Sequence, residues 1–213
     1  MISSEDISCR IQNALEGGLD GRMTLAGYSR KKGAILYVHS EQNAQQRILF
    51  AFDTRPKYQP GAEVHIHPIA QVIIPQVSDL ALSLVGGNRF LLAGSPDIIL
   101  AQPIDFFAPK AEHQRWFASG DDQVVAACDS IGQFLNRWVL PFIGTISTAR
   151  ALVDIHETND DRIMKQKHWY VFVVAAYQIL GMVDAARDLV LSQFGDPGPR
   201  KRYAALFNSM GIS

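Results

Sequence analysis

The chain has 213 residues, of which 47% are hydrophobic and 19% are charged. That is enough apolar material for a globular domain with its own core, which excludes a disordered tail and a disulfide-stapled miniprotein. Lysine and arginine number 20 against 21 aspartates and glutamates, so the formal charge is −1. A chain so close to neutrality has no overall attraction to nucleic acid or to anionic lipid, and we expect neither nucleic acid nor a membrane as a partner.

The cysteines and the first residues bear on the compartment. Cys9 and Cys128 fall in separate helix-like segments, which is typical of reduced thiols. Residues 1–6 contain two acids where a signal peptide would need a positive region followed by an apolar one. The longest apolar run, residues 169–176, is far shorter than the roughly 20 residues that span a bilayer. These features predict a cytoplasmic protein.

The first predicted element is a short helix. Ser3 or Ser4 is suited to cap it, and apolar residues follow at helical spacing. Gly17 and Gly18 come directly after this pattern, and we expect them to end the helix.

Three segments then show the two-residue period of a β-strand, in which successive side chains point to opposite faces: residues 34–39, 48–52 and 64–74. Residues 53–63 read as a loop, because they contain two prolines and a glycine. The pattern predicts an antiparallel meander. Pro68 has no N–H to donate to a ladder, so we expect the third strand to lie at an edge or to carry a bulge.

The remaining segments predict one more helix, two more short strands and then helices only. Residues 77–85 have a helical pattern, and residues 98–102 and 115–118 look extended. After Gly120 the apolar spacing is helical throughout. The predicted helices cover residues 121 to about 155, with Pro141 placed where a new helix could begin, and then 163–180, 184–194 and 197–210.

The fold class expected from this order is α+β. An N-terminal helix and an antiparallel sheet meander occupy residues 1–118, and a C-terminal layer of antiparallel helical hairpins occupies residues 119–213. We expect the helical region to pack on the sheet region as one continuous domain.

His65 and His67 are the sharpest chemical feature. Two residues apart on a strand, they point to the same face and could both reach one Zn²⁺ or Fe²⁺ ion. The other histidines are scattered, and no third ligand follows from any spacing. We therefore predict no metal and no cofactor. A small metal-dependent enzyme built on His65 and His67 stays open as the alternative.

No segment predicts a catalytic nucleophile. Ser95 lies between Gly94 and Pro96, and a proline there removes an amide that an oxyanion hole would use. Cys128 lies on the apolar side of a helical pattern, where a thiol is typically a core residue. We predict no catalytic residues and a protein that is not an enzyme.

An acidic cluster, consisting of Asp154, Glu157, Asp160 and Asp161, falls on a predicted connection between two core helices. Like charges on such a loop repel one another, and a cationic patch on a protein partner would offset that repulsion. We predict this acidic cluster to be the partner-binding surface.

Residues 25–37 (LAGYSRKKGAILY), followed by residues 48–52, resemble the opening of several uncharacterised bacterial α+β domain families. Residues 138–142 and 177–184 are similar to the helical portion of those families. Members are suspected to be immunity proteins, which bind and block a cognate secreted toxin. The resemblance implies a non-enzymatic inhibitor whose partner is a toxin protein, and it assigns no site residue. A helical adaptor is a further alternative, and the oligomeric state, including a homo-oligomer, stays open.

Overall fold

A computed structural model describes residues 3–41 and 43–212 of the chain. Its backbone contacts divide the chain into two compact units, each assembled from separate segments. The first unit comprises Met1–Ser40, Gln45–Gln71 and Ala101–Thr145, and the second comprises Glu41–Ala44, Val72–Leu100 and Ile146–Ser213. The predicted α+β class is confirmed: an N-terminal helix is followed by a sheet and then by several helices.

Six strands of the described residues form one sheet. Its path is β1-β2-β3-β4-β5, and β6 also pairs with β4. The strand pairs β1–β2, β2–β3 and β4–β6 are antiparallel. The strands are β1 (Ser29–Arg30), β2 (Leu36–Ser40), β3 (Gln45–Thr54), β4 (Val64–Ile73), β5 (Leu100–Pro103) and β6 (Trp116–Ala118).

The alternation seen in the sequence sets which face of β4 is buried. Val64 and Ile66 are fully buried, whereas His65 and His67 between them are half-buried on the opposite face. Successive side chains of a strand point to opposite faces, so burying the apolar set leaves the histidine pair together on the other face.

Of the two alternatives expected for the strand that contains Pro68, an edge position or a bulge, the edge position is wrong, because β4 has β3 on one side and β5 and β6 on the other. Pro68 follows the segment Val64–Ile66, which pairs with β6. It precedes Val72, whose carbonyl accepts from the Ile99 N–H. The missing N–H therefore falls close to the point where one partner strand succeeds the other, and a proline there removes little of the ladder.

The helices of the first unit are α1 (Ser4–Ala14), α2 (Asp20–Leu25), α4 (Asp121–Phe134) and α5 (Leu140–Ile143). Ser3 caps α1 as predicted, through a reciprocal pair of hydrogen bonds with Asp6. Single π-helical turns, Leu15–Leu19 and Leu135–Val139, join α1 to α2 and α4 to α5.

Gly17 and Gly18 do not end the first helix as expected. The helix continues past them in the π-helical turn Leu15–Leu19, where Gly18 lies close to α4: a Cβ on Gly18 would lie 2.9 Å from Asp129 Oδ1. Gly132 on α4 fills the matching role, since a Cβ there would lie 2.6 Å from Leu19 Cδ1. These glycines let two helices pack closely, and the packing compensates for their low helix propensity.

The helices of the second unit are α3 (Pro75–Leu84), α6 (Ala149–Glu157), α7 (Lys167–Ile179), α8 (Val183–Phe194), α9 (Pro197–Arg202) and α10 (Ala204–Ser209). Helix α7 contacts α3, α6 and α8. It buries Trp169 and every residue from Val171 to Tyr177, as its apolar circumference predicts. Among the described residues, no helix combines the length and the apolar character needed to cross a bilayer.

Two helix boundaries in this unit differ from the predictions. Helix α7 begins at Lys167 instead of residue 163, because Gln166 has extended backbone angles and occupies the N-cap position. The predicted helix 197–210 is divided at Tyr203, which lies between α9 and α10. The Tyr203 ring packs 4.5 Å from that of Phe194, so a tertiary contact is formed where the helix is interrupted.

Candidate metal centre

The histidine pair on β4 is held close, as the strand spacing predicts. The ring centroids of His65 and His67 are 5.2 Å apart. Phe117 of β6 lies opposite His65 in the antiparallel register and stacks on its ring at 4.6 Å. This stacking restricts the orientation of the His65 ring, so one of the two imidazoles is preorganised by its neighbour.

A third potential ligand comes from the neighbouring strand. The Arg55 N–H donates to the Glu63 carbonyl at 2.8 Å, which closes the hairpin and brings Asp53, near the end of β3, alongside β4. Asp53 Oδ2 lies 3.4 Å from His67 Nε2. Two ligands each about 2.1 Å from a tetrahedral Zn²⁺ ion would also be separated by about 3.4 Å.

Together, Asp53, His65 and His67 form a group that we call the His-Asp triad. One ligand atom from each residue can be chosen so that all three atoms lie within 4.8 Å of one another. Two imidazole nitrogens and one carboxylate oxygen are a ligand set that suits Zn²⁺ or Fe²⁺.

Tyr58 links the two ends of the His-Asp triad. Its hydroxyl donates to Asp53 Oδ2 at 3.1 Å and lies 2.7 Å from His65 Nδ1. Because the single hydroxyl proton is used on Asp53, His65 Nδ1 must carry a proton and donate it to the Tyr58 oxygen. That tautomer leaves the Nε2 lone pair of His65 available, which is how metal-binding histidines are held by an outer hydrogen bond.

The electrostatics of these groups favour the neutral forms that this network needs. Desolvation, and then the neighbouring His67, lower the pKa of His65 below its ordinary value. Desolvation, and then the hydrogen bond to Asp53, raise the pKa of Tyr58. At neutral pH, His65 is therefore unprotonated on one nitrogen, and Tyr58 keeps the proton that it donates.

His67 Nε2 is buried and makes no hydrogen bond, although its ring approaches Asp53 within ion-pair distance. A buried polar nitrogen without a hydrogen bond is costly and rare in folded proteins. A metal ion between His67 Nε2 and Asp53 Oδ2 would satisfy both atoms.

The His-Asp triad lies at the wall of a cavity of about 440 Å³ in the first unit. The cavity has apolar walls from Pro68, Pro103, Ile104 and Phe106, and Arg115 contributes a cation. This volume is within the usual range for small-molecule sites, and an apolar cleft with a few convergent polar groups is typical of them.

The sequence found two members of the His-Asp triad and missed Asp53. The sequence pattern predicts a loop over residues 53–63, but β3 continues to Thr54. The missed signal is the alternation of Leu49, Ala51 and Asp53 on one face of that strand. The partner of Asp53 across the hairpin depends on how residues 55–63 turn, which the sequence pattern does not determine.

The structure places the acidic cluster differently from the prediction. Asp154 and Glu157 belong to α6, and only Asp160 and Asp161 lie beyond its end. Asp154 Oδ1 is 4.0 Å from Arg150 Nη1, one helical turn earlier. The Tyr177 hydroxyl donates to Glu157 at 3.2 Å.

Asp160 also has a partner in the chain. Arg162 donates to it from Nη2 at 2.6 Å and from its backbone N–H at 2.9 Å. These hydrogen bonds lower the pKa of Asp160. Three of the four members of the acidic cluster therefore have partners within the chain, and their mutual repulsion does not require an external cation.

Cys128 is buried in the first unit, as its apolar position predicts. Burial raises the pKa of its thiol to about 12, so the reactive thiolate is not formed near neutral pH. The four histidines outside the His-Asp triad form no comparable group of metal ligands among the described residues. His39 Nδ1, for example, lies 2.8 Å from the Gly27 carbonyl.

Comparisons with protein-family models, curated proteins and solved structures found no match to this chain. The function therefore has to be argued from the His-Asp triad and its cavity.

Proposed function

We propose that the protein binds one divalent transition-metal ion through Asp53, His65 and His67 and acts as a small metal-dependent enzyme. The observation that carries the proposal is the position of Asp53, whose Oδ2 lies 3.4 Å from His67 Nε2 at the wall of an open cavity. From the sequence, a metal-dependent enzyme built on His65 and His67 is only an alternative, because no third ligand follows from any spacing. Asp53 supplies that ligand.

The number of ligands favours a catalytic site over a structural one. Structural zinc sites are closed by four protein ligands, whereas catalytic sites keep a position for water or substrate beside three protein ligands. The same two-histidine, one-carboxylate set with open positions is used by non-haem Fe²⁺ enzymes. An ion at this site would act as a Lewis acid, and bound Zn²⁺ can lower the pKa of water to about 7.

The hard cations Ca²⁺ and Mg²⁺ fit less well, because they prefer sites composed of oxygen ligands. Cu⁺ is also disfavoured, since the His-Asp triad contains no thiolate or thioether. Zn²⁺ and Fe²⁺ both suit the His-Asp triad, and Co²⁺ is a useful spectroscopic probe for such a site.

The toxin-inhibitor hypothesis stays a prediction, as do the cytoplasmic location, a toxin partner and the adaptor alternative. Its proposed surface, the acidic cluster, has less reason to need a cationic partner because Asp160 pairs with Arg162 and Asp154 lies near Arg150. In the His-Asp triad, by contrast, His67 Nε2 is buried without a hydrogen bond. We therefore favour the metal-dependent enzyme over the toxin inhibitor.

A metal titration tests the proposal. Chelator-treated protein should bind Zn²⁺ at about one ion per chain by elemental analysis and calorimetry, and Asp53→Asn and His67→Ala should each weaken binding about a hundredfold or more. Asp122→Asn and His39→Ala are matched controls outside the triad and should retain the parent affinity. No stoichiometric metal in the loaded parent, or an unchanged affinity in both triad variants, would overturn the proposal.

A further inference from the structure

The cavity beside the His-Asp triad contains a cation, Arg115, for which the described part of the chain provides no ionic partner. Arg115 lines the cavity and is exposed. Among the residues that the structure describes, no carboxylate forms an ion pair with Arg115, and no acceptor forms a hydrogen bond with it. Arg115 directly precedes β6 in the chain, and Phe117 of β6 stacks on His65.

The charges of the cavity favour an anion once a metal is bound. Its lining contains two carboxylates, Asp53 and Asp105, and one guanidinium, Arg115. Asp105 already has a neighbour, because its Oδ2 lies 3.9 Å from His113 Nδ1. With the histidines in their neutral, metal-binding form, a divalent ion leaves one net positive charge in the cavity. A monoanion would balance it, whereas a phosphate dianion would overcompensate.

The rest of the cavity lining indicates the chemical character of the uncharged part of the anion. Phe106, Ile104 and Pro103 form an apolar wall, and 39% of Phe106 is exposed. Apolar atoms of a ligand placed there would be removed from water together with this ring. The planar guanidinium of Arg115 matches a carboxylate through two parallel hydrogen bonds.

We infer that the metal-loaded cavity takes a small monocarboxylate with an aromatic or apolar body, bound through Arg115 and packed against Phe106. The inference rests on the proposed function, because the bound metal ion supplies the positive charge that the anion balances.

Benzoate and Co²⁺ are suitable probes. Co²⁺ is titrated first into chelator-treated protein, followed by benzoate, with calorimetry and the visible absorption of the bound Co²⁺ as readouts. Benzoate should bind the Co²⁺-loaded protein, while benzamide, its neutral analogue, and inorganic phosphate should each bind at least about tenfold more weakly. Without Co²⁺, benzoate should bind at least about tenfold more weakly as well.

Substitutions of Arg115 test whether this residue binds the carboxylate of benzoate. Arg115→Gln should weaken benzoate binding about tenfold or more, and Arg115→Lys, which keeps the charge and loses the planar fork, should have an intermediate effect. Arg137→Gln is the matched control, because Arg137 is exposed and does not line the cavity. Thermal melts should show that all three variants fold, since Arg115 and Arg137 are both surface residues.

The outcomes separate the two proposals. Failure of Co²⁺ and Zn²⁺ to bind overturns the proposed function and, with it, this inference. Binding of Co²⁺ with equal affinity for benzoate and benzamide overturns only the inference, and so does a preference for phosphate. Benzoate binding that is unchanged in Arg115→Gln also contradicts the assignment of the anion to Arg115.

Discussion

Helix α7 and strand β4 are both rich in apolar residues, but the fold uses them differently. Helix α7 buries every side chain from Val171 to Tyr177. Strand β4 buries Val64 and Ile66 and leaves His65 and His67 half-buried on the other face. A helix that is buried all round contributes volume to a core, whereas a strand with one covered face can present polar groups on the other.

Because α7 is buried on all sides and β4 on one face only, substitutions in the two elements should separate effects on stability from effects on function. Substitutions among the buried residues of α7 should affect folding, because Trp169 and the residues from Val171 to Tyr177 form part of the core of the second unit. Substitutions on the polar face of β4 should affect ligand binding, because the buried face that holds the strand in place is untouched.

The largest effect is expected for Trp169→Ala in α7. Trp169 is 1% exposed, so removing its ring leaves a large cavity and should lower the free energy of unfolding by about 3–5 kcal/mol. Thermal and chemical denaturation measure this loss. Leu180→Asp should cost less, because Leu180 lies beyond the end of α7 and is only half-buried. A parent-like melt of Trp169→Ala would show that α7 is peripheral.

The next effect concerns metal-linked stability. Zn²⁺ at a free concentration of one hundred times its dissociation constant should stabilise the parent by about 2.7 kcal/mol. His67→Ala should lose this gain but should unfold like the chelated parent without metal, because its side chain is on the half-buried face of β4. Denaturant titrations of both proteins, with Zn²⁺ and with chelator, measure the two effects. An equal Zn²⁺ shift in parent and variant would contradict the assignment.

A smaller effect is expected for Tyr58→Phe. The substitution removes the hydroxyl that joins Asp53 to His65 and retains the ring. Loss of such an outer hydrogen bond lowers metal affinity about tenfold to a hundredfold, and we expect the lower figure because Tyr58 is 56% exposed. Competition with a chromophoric chelator gives the affinity. The melting temperature of the metal-free variant should match that of the parent, and an unchanged affinity would exclude Tyr58 from positioning the ligands.

The features of α7 and β4 that depend on the local spacing of apolar and polar residues could be predicted from the sequence. The helical spacing around Val171 gave the buried helix, and the two-residue spacing of His65 and His67 gave their common face. Asp53 could not be paired with them, because its position across the hairpin depends on a nine-residue connection, residues 55–63, whose turns are not specified by a repeating pattern. The continued helix at Gly18 also depends on tertiary packing that a local pattern does not show, since a Cβ on Gly18 would lie 2.9 Å from Asp129 Oδ1.

The acidic cluster as a partner-binding surface stays a prediction, but its members repel one another less than their number indicates. Arg150 lies four residues before Asp154, and on α6 this spacing places the two side chains on the same face, with Nη1 and Oδ1 4.0 Å apart. Glu157 interacts with Tyr177, which is far away in the sequence. Charge counting along a chain therefore overestimates repulsion wherever a helix brings a basic residue onto the same face.

The smallest effect is expected at Asp160, where the acidic cluster is paired most closely. The Arg162 hydrogen bonds lower the pKa of Asp160 in the folded protein below its value in the unfolded chain. The pair therefore contributes stability above the unfolded pKa of about 3.9, and this contribution is lost as the pH falls through the lower, folded pKa. Because 44% of the Arg162 side chain is exposed, solvent screens the pair, and the contribution should be under about 1 kcal/mol.

Asp160→Asn separates this pair from the rest of the acidic cluster. Its free energy of unfolding should be slightly lower than that of the parent at pH 7, and the difference should disappear at a pH well below 3.9. Asp161→Asn is the adjacent control and should show a smaller difference at pH 7. A deficit in Asp160→Asn that persists or grows at low pH would mean that the carboxylate stabilises the turn through its shape and hydrogen bonds and not through its charge, since Asn keeps one of the two oxygens that Arg162 contacts.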